Sequence, residues 1–214
     1  MSHVGTSASS PDDALANSPV KSDQYGALEA ARSQMKSDPD NPHCLRELIT
    51  AALKLGDVHR ERQSLANALA CYEEGLEACE RLVALDKKRV ENQTSLNLIQ
   101  TRIGDMKQAL GDAPGALVAF NAALSLFEKM ANFAPSRHTH QRNLMQCHRK
   151  LSDVDPINSD RHLAEALRLA MDLDRAGQLR LADQVLIGQM RKKLVKGHAS
   201  GGLWTNLKRV LNWT

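Results

Sequence analysis

The chain has 214 residues, 42% of them hydrophobic and 3% aromatic, with a formal net charge of +3. This length suits one sizeable core or a short array of repeats, and so few aromatic residues argue against a β-sandwich and favour packed helices. A run of about 18 apolar residues is absent, which excludes a membrane-spanning helix. The four cysteines include no CxxC pair, so we expect buried thiols in a reducing cytoplasm.

The N-terminal residues 1–22 are rich in Ser, Pro and Asp and contain no apolar segment. This composition predicts a disordered tail and differs from that of a secretory signal. A helical repeat domain is expected over residues 23–196. Its first element, a helix at 25–37, is interpreted as a half repeat that lacks its own first helix.

The sequence repeats itself at a fixed step along most of the chain. The triplet Leu55-Gly56-Asp57 recurs as Ile103-Gly104-Asp105 and again as Leu151-Ser152-Asp153, which sets a period of 48. Further columns at the same step are Leu48, Leu96 and Leu144; Ala68, Ala116 and Ala164; Leu28, Leu76 and Leu124; and Tyr72 with Phe120. Several independent columns at one period are typical of stacked repeats that bury a continuous core together.

Each repeat is predicted to contain two helices, because its apolar residues recur at the 3.6-residue spacing of an amphipathic helix. The repeats cover 43–86, 91–134 and 138–174. Their first helices are expected at 43–60, 92–109 and 138–153, and their second helices at 65–85, 113–132 and from Asp160 onward. In the third repeat, Asp155-Pro156 is expected to end the first helix early, since proline lacks an amide hydrogen. One more helix is predicted at 176–196.

Two glycines of the second repeat have different predicted roles. Gly104 precedes Ala116 by twelve residues, and two small residues there let the paired helices approach closely, as Gly56 and Ala68 do in the first repeat. Gly111 is expected to end the first helix in the left-handed conformation. The residues expected to cap the second helices are Ser64, Asp112 and Asp160.

The repeat motif resembles the tetratricopeptide repeat. It consists of Leu55, Gly56, Ala68, Leu69, Tyr72, Gly75 and Leu76, and again of Ile103, Gly104, Ala116, Leu117, Phe120, Ala123 and Leu124. Asp38-Pro39-Asp40-Asn41 and Lys54-Leu55-Gly56-Asp57-Val58 are similar to a long bacterial form of this repeat. The resemblance implies an all-α fold, a right-handed α-solenoid of stacked antiparallel helix pairs. It also implies a groove, lined by the first helices, that binds other proteins without catalysis.

A charged column marks the candidate partner groove. Lys54, Arg102 and Lys150 precede the aspartates of the repeated triplet, Asp57, Asp105 and Asp153, by three residues each. One interpretation is an ion pair within each helix, which stabilises it by ~0.2–0.5 kcal/mol. The other is a ladder of alternating charge that selects a polar peptide. A tetratricopeptide subclass grips C-terminal carboxylates, but here aspartate replaces its clamp asparagine and would repel such a ligand.

The C-terminal region is basic. From Arg175 onward eight Lys and Arg accompany one Asp, which gives +7 and leaves −4 for residues 1–174. A linker at 197–202 precedes a predicted amphipathic helix at 203–213 that holds both tryptophans. Its candidate docking residues are Leu203, Trp204, Leu207, Val210, Leu211 and Trp213. This helix either caps the exposed end of the solenoid, docks on a partner or a second copy, or lies on an anionic membrane surface.

Other functions find little support in the sequence. The motifs GxSxG and HExxH and a glycine-rich phosphate loop are absent, so we expect no enzyme, no catalytic residue and no cofactor. The cysteines and histidines match no zinc pattern, and the basic segment 191–196 lacks the aromatic platform of a nucleic-acid site. We predict a cytoplasmic adaptor that binds a protein or peptide partner. The alternative is a peripheral membrane or secretion-associated chaperone anchored by the helix at 203–213, and self-association is compatible with both.

Overall fold

The computed structural model describes residues 19–133 and 138–197, which form eight α-helices and no strand. The helices are α1 (Pro19–Ser37), α2 (Pro42–Glu61), α3 (Leu65–Leu85), α4 (Val90–Ala109), α5 (Ala113–Phe133), α6 (His138–Val154), α7 (Ser159–Arg175) and α8 (Leu181–Gly197). The predicted all-α fold is confirmed, whereas the right-handed stacking stays a prediction. The chain divides into two compact units, Met1–Ser95 and Leu96–Thr214.

The start of α1 differs from the predicted boundary of the N-terminal tail. Residues 19–22 belong to the helix, although the tail was expected to reach residue 22. Proline suits the first helical turn, because its fixed φ is helical and the amide hydrogen that it lacks would have no partner there. Residues 1–18 lie outside the described ranges.

The start of α8 also differs, since the helix begins at Leu181 rather than at residue 176. Gly177 adopts a φ of +64°, and Gln178 donates its backbone N–H to the carbonyl oxygen of Leu173 at 2.8 Å. A left-handed residue and a bond back to the last helical turn close α7 in the manner of a glycine C-cap. The chain therefore needs a short connection before the next helix.

The N-terminal unit is built on the hairpin of α2 and α3. Three residues connect these two helices, which makes them antiparallel neighbours. The α1 helix is fastened to α3 by Arg32, whose guanidinium donates to both carboxylate oxygens of Glu74 at 2.7 and 2.6 Å. The core residues of this unit include Leu28, Leu45, Ala52, Leu55, Ala68, Tyr72, Cys79 and Leu82.

The C-terminal unit contains α5, α6, α7 and α8, each packed against the next. One buried cluster joins α5 to α6 through Ala116, Phe120, Ala123, Cys147, Leu151 and Val154. A second cluster joins α6, α7 and α8 through Leu144, Met145, Leu163, Leu167, Leu173, Met190 and Leu194, among others. Antiparallel pairs of helices thus share a continuous apolar interior within this unit.

The repeated glycines of the first helices make room for an aromatic ring. A Cβ placed on Gly56 would lie 2.5 Å from the Tyr72 ring, and a Cβ on Gly104 would overlap the Phe120 ring. Ala68 and Ala116 are fully buried. The expected close approach therefore has a specific cause, because the ring four residues after the alanine occupies the space that a side chain would need.

The expected left-handed conformation of Gly111 is confirmed by its φ of +83°. Gln63 occupies the equivalent place in the first repeat, one period earlier, and has a φ of 61°. A residue with a Cβ tolerates this conformation less well than glycine does. The first two repeats thus use the same turn, but its backbone conformation costs more free energy at Gln63 than at Gly111.

Of the three predicted helix caps, Asp112 is confirmed. Its Oδ1 accepts the backbone N–H of Gly115 at 2.9 Å. Ser64 precedes α3 but makes no side-chain capping bond, and Asp160 lies inside the first turn of α7. The expected N-cap position of Ser64 is thus confirmed without the expected bond, whereas the prediction for Asp160 was wrong.

The carboxylate at the start of α7 belongs to Asp155. Its Oδ1 accepts the backbone N–H groups of Ile157 and Asn158, both at 3.1 Å. Because α6 ends at Val154 and α7 begins at Ser159, this carboxylate holds the loop that leads into α7. Hydrogen bonds from Asn158 lower the pKa of Asp155 against the opposing effect of burial.

Candidate partner-binding surface

In the N-terminal unit, Asp57 and Lys54 have different environments. The Tyr72 hydroxyl donates to Asp57 Oδ1 at 2.7 Å, and the Arg60 guanidinium lies 3.4 Å from the same oxygen. Lys54 is exposed and forms no hydrogen bond or ion pair with any residue in the described ranges. Asp57 therefore links α2 to α3, while the ammonium group of Lys54 faces solvent.

In the C-terminal unit, Lys150 reaches from α6 to α4. Its ammonium group forms an ion pair with Asp105 and lies 5.5 Å from the centroid of the Phe120 ring. Cations are attracted to the face of an aromatic ring at this distance. The lysine and aspartate side chains are 17% and 25% exposed, so this pair is mostly screened from solvent. The ring that fills the space above Gly104 thus also contacts the cation of the next repeat.

Asp153 is paired in the same way with α8. Lys193 Nζ lies 2.7 Å from Asp153 Oδ1, and it also donates to the Ser152 carbonyl oxygen at 2.7 Å. Arg149 lies 3.3 Å from the other carboxylate oxygen of Asp153. Asp105 of α4 thus pairs with a lysine of α6, and Asp153 of α6 pairs with a lysine of α8.

These contacts bear on the interpretation of the charged column as ion pairs within single helices. Lys150 pairs with the aspartate of the preceding repeat, so the expected pair with Asp153 on its own helix is wrong. Asp105 and Lys150 are brought together, and Arg102 lies partly buried on α4. Within the C-terminal unit the column fastens successive first helices, and its charges remain partly exposed along one side.

Two residues that matter here were missed from the sequence. Lys193 follows Lys150 at a step of 43, so a search at the repeat period does not find it. Asp183 accepts from Arg142 Nε at 2.9 Å, and their side chains are 4% and 11% exposed. This buried pair ties the start of α8 to α6. A basic and an acidic residue so far apart along the chain carry no recognisable local signal.

Two histidines meet between α6 and α7. The Nδ1 atoms of His148 and His162 lie 3.0 Å apart, and His162 Nε2 lies 3.7 Å from Asp155 Oδ2. Burial, with the neighbouring ring as a further cause, lowers the pKa of His148 to about 4. Burial also lowers the pKa of His162, although Asp155 opposes this shift. The pair is therefore neutral at pH 7.

The other charged groups around these rings come from α7. Glu165 raises the pKa of His148, while Arg161 and Arg168 lower it. Among the residues that the structure describes, no group of three His, Cys, Asp or Glu side chains is arranged to hold a metal ion. The two rings pack against each other between α6 and α7, with their centroids 5.2 Å apart.

The described cysteines are free thiols, and three of them, Cys71, Cys79 and Cys147, are buried. Burial raises the pKa of Cys79 and of Cys147 to about 12, and it raises the pKa of Cys71 as well. A thiol that stays protonated at pH 7 is a poor nucleophile and a poor metal ligand. These side chains serve as small apolar residues of the helix interfaces.

The tail docking residues Leu203 to Trp213 lie outside the described residues, as do positions 198–202 of the expected linker. Gly197, the first residue of that linker, is the last residue of α8. None of the helices in the described part of the chain is long and apolar enough to cross a membrane.

Comparison with known proteins gives little sequence similarity. No protein-family model matches the chain, and no curated protein matches it. A solved structure described as "Crystal structure of MamA protein" aligns with 73% of this chain and 87% of that chain, at 15% identity and a TM-score of 0.22. At this TM-score the alignment supports no argument about function.

Proposed function

We propose that the protein is a non-catalytic adaptor of the tetratricopeptide type, which binds a peptide or helix of another protein along its first helices. The observation that carries the proposal is the exposed ammonium group of Lys54 on α2. It forms no pair with any residue of the described ranges. It occupies the column whose other described lysine, Lys150, is held in an inter-helix ion pair. A solvated lysine on a rigid hairpin is available to an acidic or hydrogen-bond-accepting ligand.

The chemistry of the ligand follows from the groups that remain accessible. The pair of Lys193 and Asp153 is more exposed than that of Lys150 and Asp105, with side chains 42% and 34% exposed. The C-terminal unit therefore presents both signs of charge on its first helices. Charged residues on such a surface select partners by complementarity and steer their approach. We expect a polar segment that carries acidic groups rather than a purely apolar one.

The proposal is tested by affinity capture followed by cross-linking and mass spectrometry of the bound proteins, with Lys54→Glu as the test variant. Lys36→Glu, at the exposed C-terminal end of α1, is the matched control in the same unit. We expect Lys54→Glu to lose the principal partner and Lys36→Glu to keep it. A partner list that is the same for both variants and the wild-type chain would reject this surface. Lys150→Glu is unsuitable, because it also breaks the ion pair with Asp105.

We also propose a cytoplasmic location for this adaptor. Free, buried thiols support it, because disulfides form mainly in oxidising compartments. Fractionation of cells that express the full chain is the appropriate measurement. Recovery of the protein in the soluble cytoplasmic fraction is the expected result, and recovery with membranes after a salt wash would contradict it.

A further inference from the structure

The α8 helix carries the residue columns of a repeat's first helix. Lys193 pairs with Asp153 as Lys150 pairs with Asp105, which sets a step of 43 between α6 and α8. At this step Leu194 corresponds to Leu151 and Met190 to Cys147. All four of these apolar side chains are buried. The contacts and the burial of α8 therefore match those of the first helix of a repeat.

One face of α8 is uncovered in the described part of the chain. Gly188 falls in the column of Met145, which is buried together with Leu163 and Leu167 of α7. A Cβ placed on Gly188 would meet no atom within 4 Å, and Val185, three residues before it, is 61% exposed. In the third repeat the second helix covers this column, whereas the described residues provide no such cover for α8.

The residues that follow α8 continue the columns of a second helix at the same step of 43. Leu207 falls in the column of Ala164, Val210 in that of Leu167 and Leu211 in that of Arg168. In the first two repeats the last of these columns holds Tyr72 and Phe120, both fully buried. Arg209 falls in the column of Ala166, which is fully buried, and of Val118, which is 71% exposed. The apolar residues of this segment therefore coincide with positions that are mostly buried in the earlier repeats.

We propose that residues 203–213 form the second helix of a shortened fourth repeat and lie, in the same molecule, on the face of α8 that contains Leu181, Val185 and Gly188. This inference does not depend on the proposed function. The five residues 198–202 are within the usual length of a connection between two helices of a hairpin. A short connection also gives the segment a high effective concentration at α8, which favours it over a second copy of the chain.

The two tryptophans report on this contact directly, because both belong to the segment 203–213. The experiment compares tryptophan emission and acrylamide quenching of the full chain with those of the free peptide 198–214. We expect the full chain to emit at shorter wavelength and to be quenched less. Val185→Asp is expected to shift the emission towards that of the peptide, because it places a charge under the docked helix.

Val118→Asp is the matched control, since Val118 is an exposed valine on α5. It is expected to leave the emission unchanged. Far-UV circular dichroism checks that both variants remain folded. If Val185→Asp fails to fold, Leu211→Asp tests the same contact from the segment itself and is expected to give the same shift towards longer wavelength.

Several results would overturn the proposal. Emission of the wild-type chain equal to that of the peptide would show that the segment is not buried. Emission that Val185→Asp and Leu211→Asp leave unchanged would place the tryptophans elsewhere. A spectrum that depends on protein concentration, together with a dimer in sedimentation velocity, would assign the segment to a second copy. A shift to shorter wavelength that requires phosphatidylserine vesicles would assign it to a membrane.

Discussion

At the scale of single residues, Gln63 and Gly111 adopt the same left-handed backbone conformation at the same place in two repeats. For a residue with a Cβ this conformation costs about 1 kcal/mol more than for glycine. We therefore expect Gln63→Gly to raise the free energy of unfolding by about 1 kcal/mol, measured by urea denaturation. Gly111→Gln is the reciprocal variant and is expected to lower it by a similar amount.

These two variants form a sharp comparison, because a Cβ on Gly111 would meet no neighbouring atom within 4 Å. The effect of Gly111→Gln on stability therefore reflects the cost of the left-handed backbone conformation, without a steric contribution from neighbouring residues. A loss of stability in Gln63→Gly would show that its side chain contributes more than its backbone conformation costs.

The histidine pair predicts a loss of stability in acid. The pKa values of His148 and His162 in the folded protein lie below 6.5, so the unfolded chain binds more protons as the pH falls through that value. Stability is then present above about pH 6.5 and is lost progressively towards pH 4. We expect His148→Gln to reduce this loss by roughly 1–3 kcal/mol between pH 7 and pH 4.5.

The measurement is chemical denaturation of the wild-type chain and of His148→Gln at both pH values. The change in the free energy of unfolding between the two pH values is then compared between the two proteins. Carboxylates such as Asp155 contribute to acid unfolding in both proteins and cancel in this comparison. An identical pH dependence for both proteins would mean that the histidine pair is not held neutral in the fold.

At the scale of paired helices, the contact between a glycine and an aromatic ring is the main steric feature of the first two repeats. We expect Gly104→Ala to destabilise the protein by about 1–3 kcal/mol, because its methyl group would overlap the Phe120 ring. Thermal and urea denaturation provide the measurement. Gly26→Ala is the control, since a Cβ there meets nothing, and it is expected to stabilise α1 by about 0.5–1 kcal/mol.

A double-mutant cycle identifies the cause. Phe120→Leu removes the ring edge that the new methyl group would meet, so Gly104→Ala is expected to cost less in that background. Additive effects of the two substitutions would contradict a direct contact. The third repeat offers a natural comparison, because it has lost both partners and carries Ser152 and Arg168 in their places.

The attachment of α8 depends on a buried ion pair. Asp183→Ala would leave the Arg142 guanidinium buried without its carboxylate, which typically costs about 3–5 kcal/mol. We expect a loss of this size in the free energy of unfolding and faster hydrogen exchange along α8. Glu29→Ala is the control, since Glu29 pairs with Arg32 on the exposed surface of α1. Exposed pairs of this type contribute only about 0.2–0.5 kcal/mol.

Replacing both partners of the buried pair with leucine tests the interpretation. Two apolar side chains leave no unpaired charge, so Arg142→Leu/Asp183→Leu is expected to be more stable than Asp183→Ala. If Asp183→Ala behaves like Glu29→Ala, the pair is solvated and does not hold α8 in place.

At the scale of the whole molecule, repeat architecture predicts that the effect of a substitution stays near its site. The contacts of a repeat are made with its neighbours in sequence, so each interface contributes separately to stability. Tyr72→Ala would remove a fully buried ring and its hydrogen bond to Asp57, at a cost of about 3–5 kcal/mol. We expect faster hydrogen exchange in α2 and α3 and little change in α6 and α7. Equal acceleration in all four helices would indicate one cooperative unit.

Much of the fold could be predicted from the sequence, because helices are local structures. The bounds of α2 to α7 lie within two residues of those expected from apolar spacing, glycines and prolines. The predictions failed where a contact crosses between helices. Lys150 is an example, since its ammonium group pairs with Asp105 of α4 and not with Asp153 of its own helix.

The candidate surface was predicted less well. The charged column was found from its period, but the partner of Lys150 is decided by which helix lies beside α6. Lys193 was missed because α7 has 17 residues, whereas α3 and α5 have 21 each, and the following helix consequently arrives early. Lys193 consequently lies 43 residues after Lys150 and does not match the period of 48.

By itself the sequence determined that this protein is built from helices in repeated pairs and where most of those helices begin and end. These properties depend on side chains within a few positions of one another, through apolar spacing, turn residues and proline. The tertiary structure decided that Tyr72 and Phe120 fill the space above two glycines and that lysines pair with aspartates of the preceding first helix. Such contacts join residues that are far apart along the chain, and only the packing of helices brings them within reach.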